Sequence, residues 1–446
     1  MNTPQNPAAG ESTNNDPMVE IGVSGLRQAN GFLFEEYLPQ LRGRQGIRVY
    51  QEMSQNDPIV GAVLRALELI IASVRWDVTA ADTSTEAAVE KAFVESVIDD
   101  MSHTWQDFIS EVLTMLPYGF AYQEILFKTR ADRGGSDPAR RTKYPDGRIG
   151  IRKLAPRSQD SLLRWEMQQD GGIAGFHQLP IIGGGIYYIP IERALLFRVN
   201  SRKNSPESWS ILRNAYRPWY MLKSIEEYEA IGIERELVGL PVVSIPARYL
   251  NSQDPKDIAV RSAYQQIARD IRFGQQSGVV IPSDPFTDPD GKISTMPMVQ
   301  VKLLTSGGQR TIDTDKVIQR HQRGIAKSVL ADFLMVGEGG SAARGSTSMH
   351  NGKVDLFMTA IEFLLDQIEA PINRFLLPRL WKMNNLPPET MPSVKHGKVD
   401  KVDLDELGQY INDLAGAGMP LFPDKGVEDY LRDAAGLPLA AEDGQL

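Results

Sequence analysis

Two long helical patterns bracket a short stretch that alternates strand, helix and strand, and this order constrains the fold more than any other feature. The first pattern, SWSILRNAYRPWYMLKSIEEYEAIGIEREL, begins at Ser208 and runs to Val238, with a kink expected at Pro218. It stops at Gly239-Leu240-Pro241, where glycine can cap and proline blocks continuation. The second spans about Thr311 to Val336 and places Ile318, Ile325, Val329 and Phe333 on one face. Between them VVSIPARY reads as a strand, DPKDIAVRSAYQQIARDIRFG as a helix and GVVIP as a strand. DPFTDPDG then reads as an acidic turn and MVQVKLL as a last strand, completing a small α/β module. A helix out, a module and a helix back make a stalk with a cap at its far end. A lone subunit of that shape buries little of its surface, which points to a symmetric ring.

The flanking sequence is mixed. NDPIVGAVLRALELIIASVRW reads as a helix capped by Asn56 or Asp57, with Pro58 in its first turn and Ile59, Val63, Leu67, Ile70 and Val74 along one face. TEAAVEKAFVESVIDDM and TWQDFISEVLTML are helical, and YGFAYQEILFK is aromatic and β-branched like a strand. The basic, Gly/Pro-rich TRADRGGSDPARRTKYPDGR reads as a surface hairpin or loop. Short strands follow to about residue 205, so this part is α+β. A glycine-rich loop after the second long helix leads to a third, KVDLFMTAIEFLLDQIEAPINRFLLPRL. The tail from about Asn384 is Pro-rich and then helical. The first residues, MNTPQNPAAGESTNNDP, read as a flexible arm and lack the apolar segment of a signal peptide.

Composition removes several classes. The 446 residues include no cysteine, so disulfides and thiolate metal sites are out and a reducing cytosol fits. None of the five histidines, at 103, 177, 321, 350 and 396, has a partner at zinc spacing, and no metal or cofactor is expected. No apolar run is long enough for a bilayer, so no membrane partner is expected either. The net charge of −9 argues against tight general nucleic-acid binding, which rests on phosphate neutralisation. It leaves room for a protein that lets DNA slide past.

The motifs yield no catalyst. Gly340 to Thr347, GSAARGST, has the spacing of a phosphate loop, but its lysine is missing and the preceding ADFLMVG continues a helical stripe. In DPFTDPDG, counting from Gly291 as the calcium-loop glycine puts Phe286 at the first ligand position and Pro297 where the closing glutamate belongs. The glycines of IIGGGIYY precede a strand and suit a tight hairpin. No Ser/His/Asp set or paired carboxylates emerge from the spacing, so no catalytic residue is expected. Two basic faces remain. Arg320, His321, Arg323 and Lys327 share a helix that either meets phosphate or an acidic neighbour, or is simply solvated. Arg261, Arg269 and Arg272 on helix 254–273 are either partner contacts or a wet face.

Taken in order, QNDPIVGAVLRALELIIASVRWDV, YGFAYQEILFK, ILRNAYRPWYMLKSIEEYEAIGIERELVGLPVVSIP and the stretch IQRHQRGIAKSVLADFLMVGEGGSAARGSTSMHNGKVDLFMTAIEFLLDQIEAPINRFLLPRL resemble tailed-bacteriophage portal proteins, most closely the Mu-like branch, over about residues 45–385. The resemblance implies an α+β portal-type subunit assembling as a dodecameric ring. Its parts would be an arm (1–17), an α/β wing (18–207), a first stem helix (208–240), a small α/β clip (241–305), a second stem helix (306–336), a tunnel loop (337–351), a long wing helix (352–384) and a helical crown (385–446). It further implies a place at the capsid vertex of the virion, reached from the host cytoplasm during assembly. Double-stranded DNA would pass non-specifically. The other partners would be the terminase large subunit, the major capsid or scaffold protein and a head-tail adaptor. In the tunnel loop, Arg344, Ser346, Thr347, Ser348, His350 and Asn351 would touch backbone phosphate without reading sequence. Under other readings the loop is a plain connector, or the chain is a nucleotide-dependent enzyme or a monomeric adaptor or minor capsid protein.

Overall fold

The computed structural model describes residues 23–399 except 169, 181, 239, 273–280, 282–283, 288–292, 305–312 and 330–346. The chain divides into two units, one formed by residues up to Ala215 together with those from Ile325 onward, the other by Tyr216–Gly324.

In the first unit, local sequence sets each helix start. The Asp57 carboxylate accepts from the N–H groups of Ile59 and Val60, both at 2.9 Å, and Pro58 follows where no donor is needed. Such a cap contributes about 1 kcal/mol. The helix Pro58–Ser73 buries Val60, Val63, Leu67 and Ile71, and Val74 follows on the same side. Ile59 and Ile70 are only half-buried, so the core face lies one step round from the expected one. Apolar neighbours at 59/60 and 70/71 left the periodicity unable to choose between the two lines. Ser84 caps Thr85–Asp99, and Thr104 and Asp107 form a reciprocal capping box on Trp105–Val112.

Gly119, at φ +88°, ends the next short helix and turns the chain into the strand Phe120–Thr129. A Cβ there would lie 2.1 Å from the Ser208 carbonyl oxygen, so only glycine fits. That strand is the centre of an antiparallel three-stranded sheet between Ala194–Arg198 and Ile149–Arg157. Its inner face meets the main core, which gathers Phe108, Phe197, Ile361, Leu365 and Ile368. A second antiparallel sheet joins Leu162–Met167, Ile173–Gln178 and Tyr187–Pro190. It closes a smaller aromatic core in which Tyr122 stacks on Phe176 at 4.9 Å and Trp165 meets Phe120 edge-on at 5.2 Å.

The basic stretch 129–148 departs from a plain surface loop. It holds a two-residue parallel ladder, Asp132–Arg133 with Arg141–Thr142, and it carries Arg130 into the interior at 1% exposure. The Arg130 guanidinium donates to Ser96 Oγ at 3.0 Å and to the Tyr144 carbonyl at 3.1 Å, and it pairs with Asp146 at 3.1 Å. Phe93 and Tyr144 face it from 5.4 and 5.2 Å. Beside it the buried Asp100 pairs with Lys128 at 2.9 Å and accepts from the Lys143 N–H and the Thr142 hydroxyl. A buried cation survives only with such partners, and composition could not reveal them.

The third long helix runs Thr347–Pro371 and passes through a π turn at Ile372–Leu376 into Leu377–Asn384. Pro371 cannot donate to the ladder, and a wider turn next to it accommodates the missing bond. The segment beyond is not helical at once. Ser393–His396 is a strand paired antiparallel with Trp76–Thr79, and Asn373 holds it by bonding both the N–H and the C=O of Val394 at 2.9 and 2.8 Å. The helical stretches expected after residue 400 lie outside the described residues.

In the second unit the helix spans Tyr216–Val238, starting eight residues later than expected. Pro218 therefore sits in the first turn, where its missing N–H leaves no hydrogen bond unmade, and it needs no kink. Leu240–Ser244 pairs antiparallel with Gln300–Leu304. Pro255–Arg272 is the module's helix, and Pro285–Thr287 pairs with Ile293–Pro297, so the acidic turn begins as a strand. The described part of the second long helix is Thr314–Ser328; Phe333 and nearly all of the expected strand GVVIP fall outside the described residues.

Candidate functional site

The two long helices of the second unit lie side by side. Glu229 accepts from the Thr314 hydroxyl, and eleven residues earlier Pro218 meets Gly324, where a Cβ would come within 3.2 Å of the proline Cβ. Chain order is reversed between these two contacts, so Tyr216–Val238 and Thr314–Ser328 run antiparallel. Glycine at 324 allows the close approach. The first helix continues into Leu240–Ser244, which pairs with Gln300–Leu304 on the returning chain.

On Thr314–Ser328 the half-buried and buried positions include Thr314, Val317, Ile318, His321, Gln322 and Ile325, a stripe at helical spacing. The opposite side is exposed and carries Lys316, Arg320, Arg323 and Lys327 at intervals of four, three and four. That spacing aligns them on one line about 16 Å long, at 1.5 Å per residue. Lys316 pairs with Asp313 at 2.8 Å. Sequence spacing points to Arg320, Arg323 and Lys327, and Lys316, four residues before Arg320, extends the same face. His321 sits on the flank of the stripe. Burial and then the Arg320 charge hold its pKa below the usual value, so at neutral pH it adds no charge.

The residues proposed for the module are not equivalent. Arg261 donates to the Leu250 carbonyl at 2.8 Å, tying its helix to the short helix Ala247–Asn251, whereas Arg269 is exposed. The side chain of Arg272 lies outside the described residues. In the glycine-rich segment Arg344 and Ser346 lie outside them too. The backbone of Thr347, Ser348, His350 and Asn351 already belongs to the helix Thr347–Pro371, so the irregular segment ends sooner than expected. Among the described residues no group of three His, Asp or Glu could hold a metal, and no helix is long and apolar enough to cross a membrane.

The second unit is thus an antiparallel helix pair whose returning helix presents a line of exposed cations, with a strand-paired module between the two helices. The family model described as the portal protein of Mu bacteriophage matches residues 47–437. The chain belongs to this portal protein family. Among solved structures, the neck of a native gene transfer agent particle computed with C12 symmetry is 12% identical, covering 88% of this chain and 94% of that chain with a TM-score of 0.46. An HK97 family phage portal protein from Corynebacterium diphtheriae is 13% identical, covering 76% and 92% respectively, with a TM-score of 0.40.

Proposed function

We propose that the chain closes into a dodecameric ring at the capsid vertex, through which double-stranded DNA enters during packaging and leaves at ejection. Family membership over residues 47–437 is the observation that carries this reading. Tyr216–Val238 and Thr314–Ser328 act as the stem, 241–305 as the clip, 18–207 with 352–384 as the wing, 337–351 as the tunnel loop and the tail as the crown. The clip, with Arg269 exposed, docks the terminase large subunit during filling and a head-tail adaptor afterwards. The wing faces the capsid or scaffold protein, and the finished ring belongs to the virion.

A ring needs a face for its neighbour. Tyr220, Met221, Tyr228 and Ile231 are exposed apolar residues of the first stem helix and fall within about a third of its circumference. Covering such a face is what a second copy does. The cationic line Lys316–Lys327 then serves the lumen. Its length spans about five phosphates of one strand at 3.4 Å each, and repeated around a ring it makes transient contacts without reading sequence. The chain performs no chemistry of its own; a separate motor supplies the work of packaging.

Negative-stain imaging of the purified chain, with mass by light scattering, tests this. Rings with a central hole are expected. A monomer that binds ATP with magnesium would instead favour an enzyme built on Gly340–Thr347. In the phage, deletion of Gly339–Ser348 is expected to leave rings intact while packaging or DNA retention fails; loss of rings would make the loop a subunit contact.

A further inference from the structure

The first unit carries two exposed apolar patches at opposite edges of one sheet. Leu162–Met167, Ile173–Gln178 and Tyr187–Pro190 lie side by side in that order. Beyond Leu162–Met167 stands a hairpin in which Gln28–Ala29 pairs with Phe32–Leu33 around Asn30 and Gly31, both at positive φ. The Trp165 N–H, pointing away from Ile173–Gln178, donates to the Gly31 carbonyl at 3.0 Å and fixes the hairpin there. Leu33 packs on the small aromatic core, so the alternate residues Phe32 and Phe34 turn outward at 49% and 44% exposure, and Tyr37 follows at 82%. At the other edge Ile182 is 89% exposed, with Ile186, Tyr187 and Tyr188 exposed beside it.

Clusters of exposed apolar side chains mark contact surfaces. The sheet lies between these two, so neither can cover the other within one chain. A ring needs two different faces on each subunit, because the contact repeated around it is heterologous. Charge fits the same pairing. Arg164, His177 and Tyr188 form one cross-strand row, so Arg164 ends the row at the hairpin edge and Tyr188 ends it at the other. Glu192 is exposed near Tyr188, and its charge, after burial, pushes the Tyr188 phenol pKa up. Among the described residues neither Arg164 nor Glu192 is in an ion pair. We propose that the Phe32, Phe34 and Tyr37 edge of one copy docks against the Ile182, Ile186, Tyr187 and Tyr188 edge of the next, with Arg164 brought toward Tyr188 and Glu192. The inference rests on the ring reading and names a contact within it, in addition to the apolar face of Tyr216–Val238.

The chain has no cysteine, so introduced thiols report alone. The test uses the full chain carrying Phe34→Cys and Tyr187→Cys together, treated with a short bis-maleimide while light scattering follows assembly. Denaturing gels are expected to show a ladder of covalent multimers that ends in one closed-ring species, whereas each single variant should give nothing larger than a dimer. A second pair, Arg164→Cys with Glu192→Cys, leaves both apolar patches intact and should give the same ladder. Rings that yield no ladder with either pair would overturn this contact and leave the ring reading standing; residues 1–22 or another protein would then cover the patches. A ladder that stops at the dimer would also overturn it, because like edges would then meet. A parent chain that stays monomeric would overturn the ring reading, and this contact with it.

Discussion

Two basic runs of this protein look alike in composition and differ entirely in what their charges meet. Between residues 128 and 148 five of the seven cations have a carboxylate partner. Lys128 and Asp100, Arg130 and Asp146, Arg140 and Asp132, Lys143 and Asp99, and Arg148 and Glu90 all pair within 3.1 Å. Between 316 and 327 the cations stand in line on an exposed face, and the only carboxylate paired to them among the described residues is that of Asp313. The difference teaches that composition alone does not separate a basic run whose charges are largely paired within the fold from one whose charges stand exposed in line.

The comparison breaks most sharply at Arg130. Arg130→Ala removes one side of a buried charge network and is expected to cost about 3–5 kcal/mol in urea denaturation, whereas Arg323→Ala should stay within about 0.5 kcal/mol. Equal losses at the two sites would erase the distinction. Acid sharpens it further. Burial pushes the Asp100 carboxyl up, but the Lys143 N–H, the Thr142 hydroxyl and Lys128 outweigh it and hold the pKa below 3.8. A depressed carboxyl stabilises above its unfolded value, and that share disappears as pH falls through the folded value. Asp100→Asn should therefore flatten the acid limb of the stability curve, while changes in the 316–327 line leave that limb unchanged.

Gly324→Val comes next. Its branched side chain would press on Pro218 where a Cβ already has 3.2 Å, and overpacking of this kind costs about 1–3 kcal/mol. Calorimetry should show the loss. An unchanged Tm would mean that the two long helices do not depend on this approach. For the exposed line, Arg320→Gln, Arg323→Gln and Lys327→Gln together should leave Tm unchanged yet lower the salt slope of DNA binding by about 0.9 per cation that touches phosphate. A slope identical to that of the parent chain would leave these cations with no DNA to meet.

The smallest effect is expected at the strand Ser393–His396. Burial alone would lower the His396 pKa, but the Gly397 carbonyl, Asp366 and Glu369 outweigh it and raise it above 6.5. A raised histidine stabilises fully below its unfolded value and loses that share as pH rises through the folded one. The Asp366→Asn variant should reduce this dependence, read by NMR titration of the His396 ring.

Much of this architecture was legible because local signals agreed. Asp57-Pro58 marked a helix start, the aromatic run from Phe120 marked a strand, and the two long helices about a module marked the second unit. What escaped depended on partners far along the chain. Arg130 resembles any surface arginine until Ser96, Asp100 and Asp146 are brought around it. Val394 becomes a strand residue only because Trp76–Thr79 and Asn373 wait for it. The alignment of Arg320, Arg323 and Lys327 was legible because helical spacing alone creates it, and the same spacing extends it to Lys316.

The central claim, that this exposed line of cations faces a DNA channel, is tested most directly by cryo-electron microscopy of the purified full chain. The account predicts a closed ring in which Lys316, Arg320, Arg323 and Lys327 point into the central hole. A ring that buries these side chains between neighbouring subunits, or turns them to its outer wall, would contradict it.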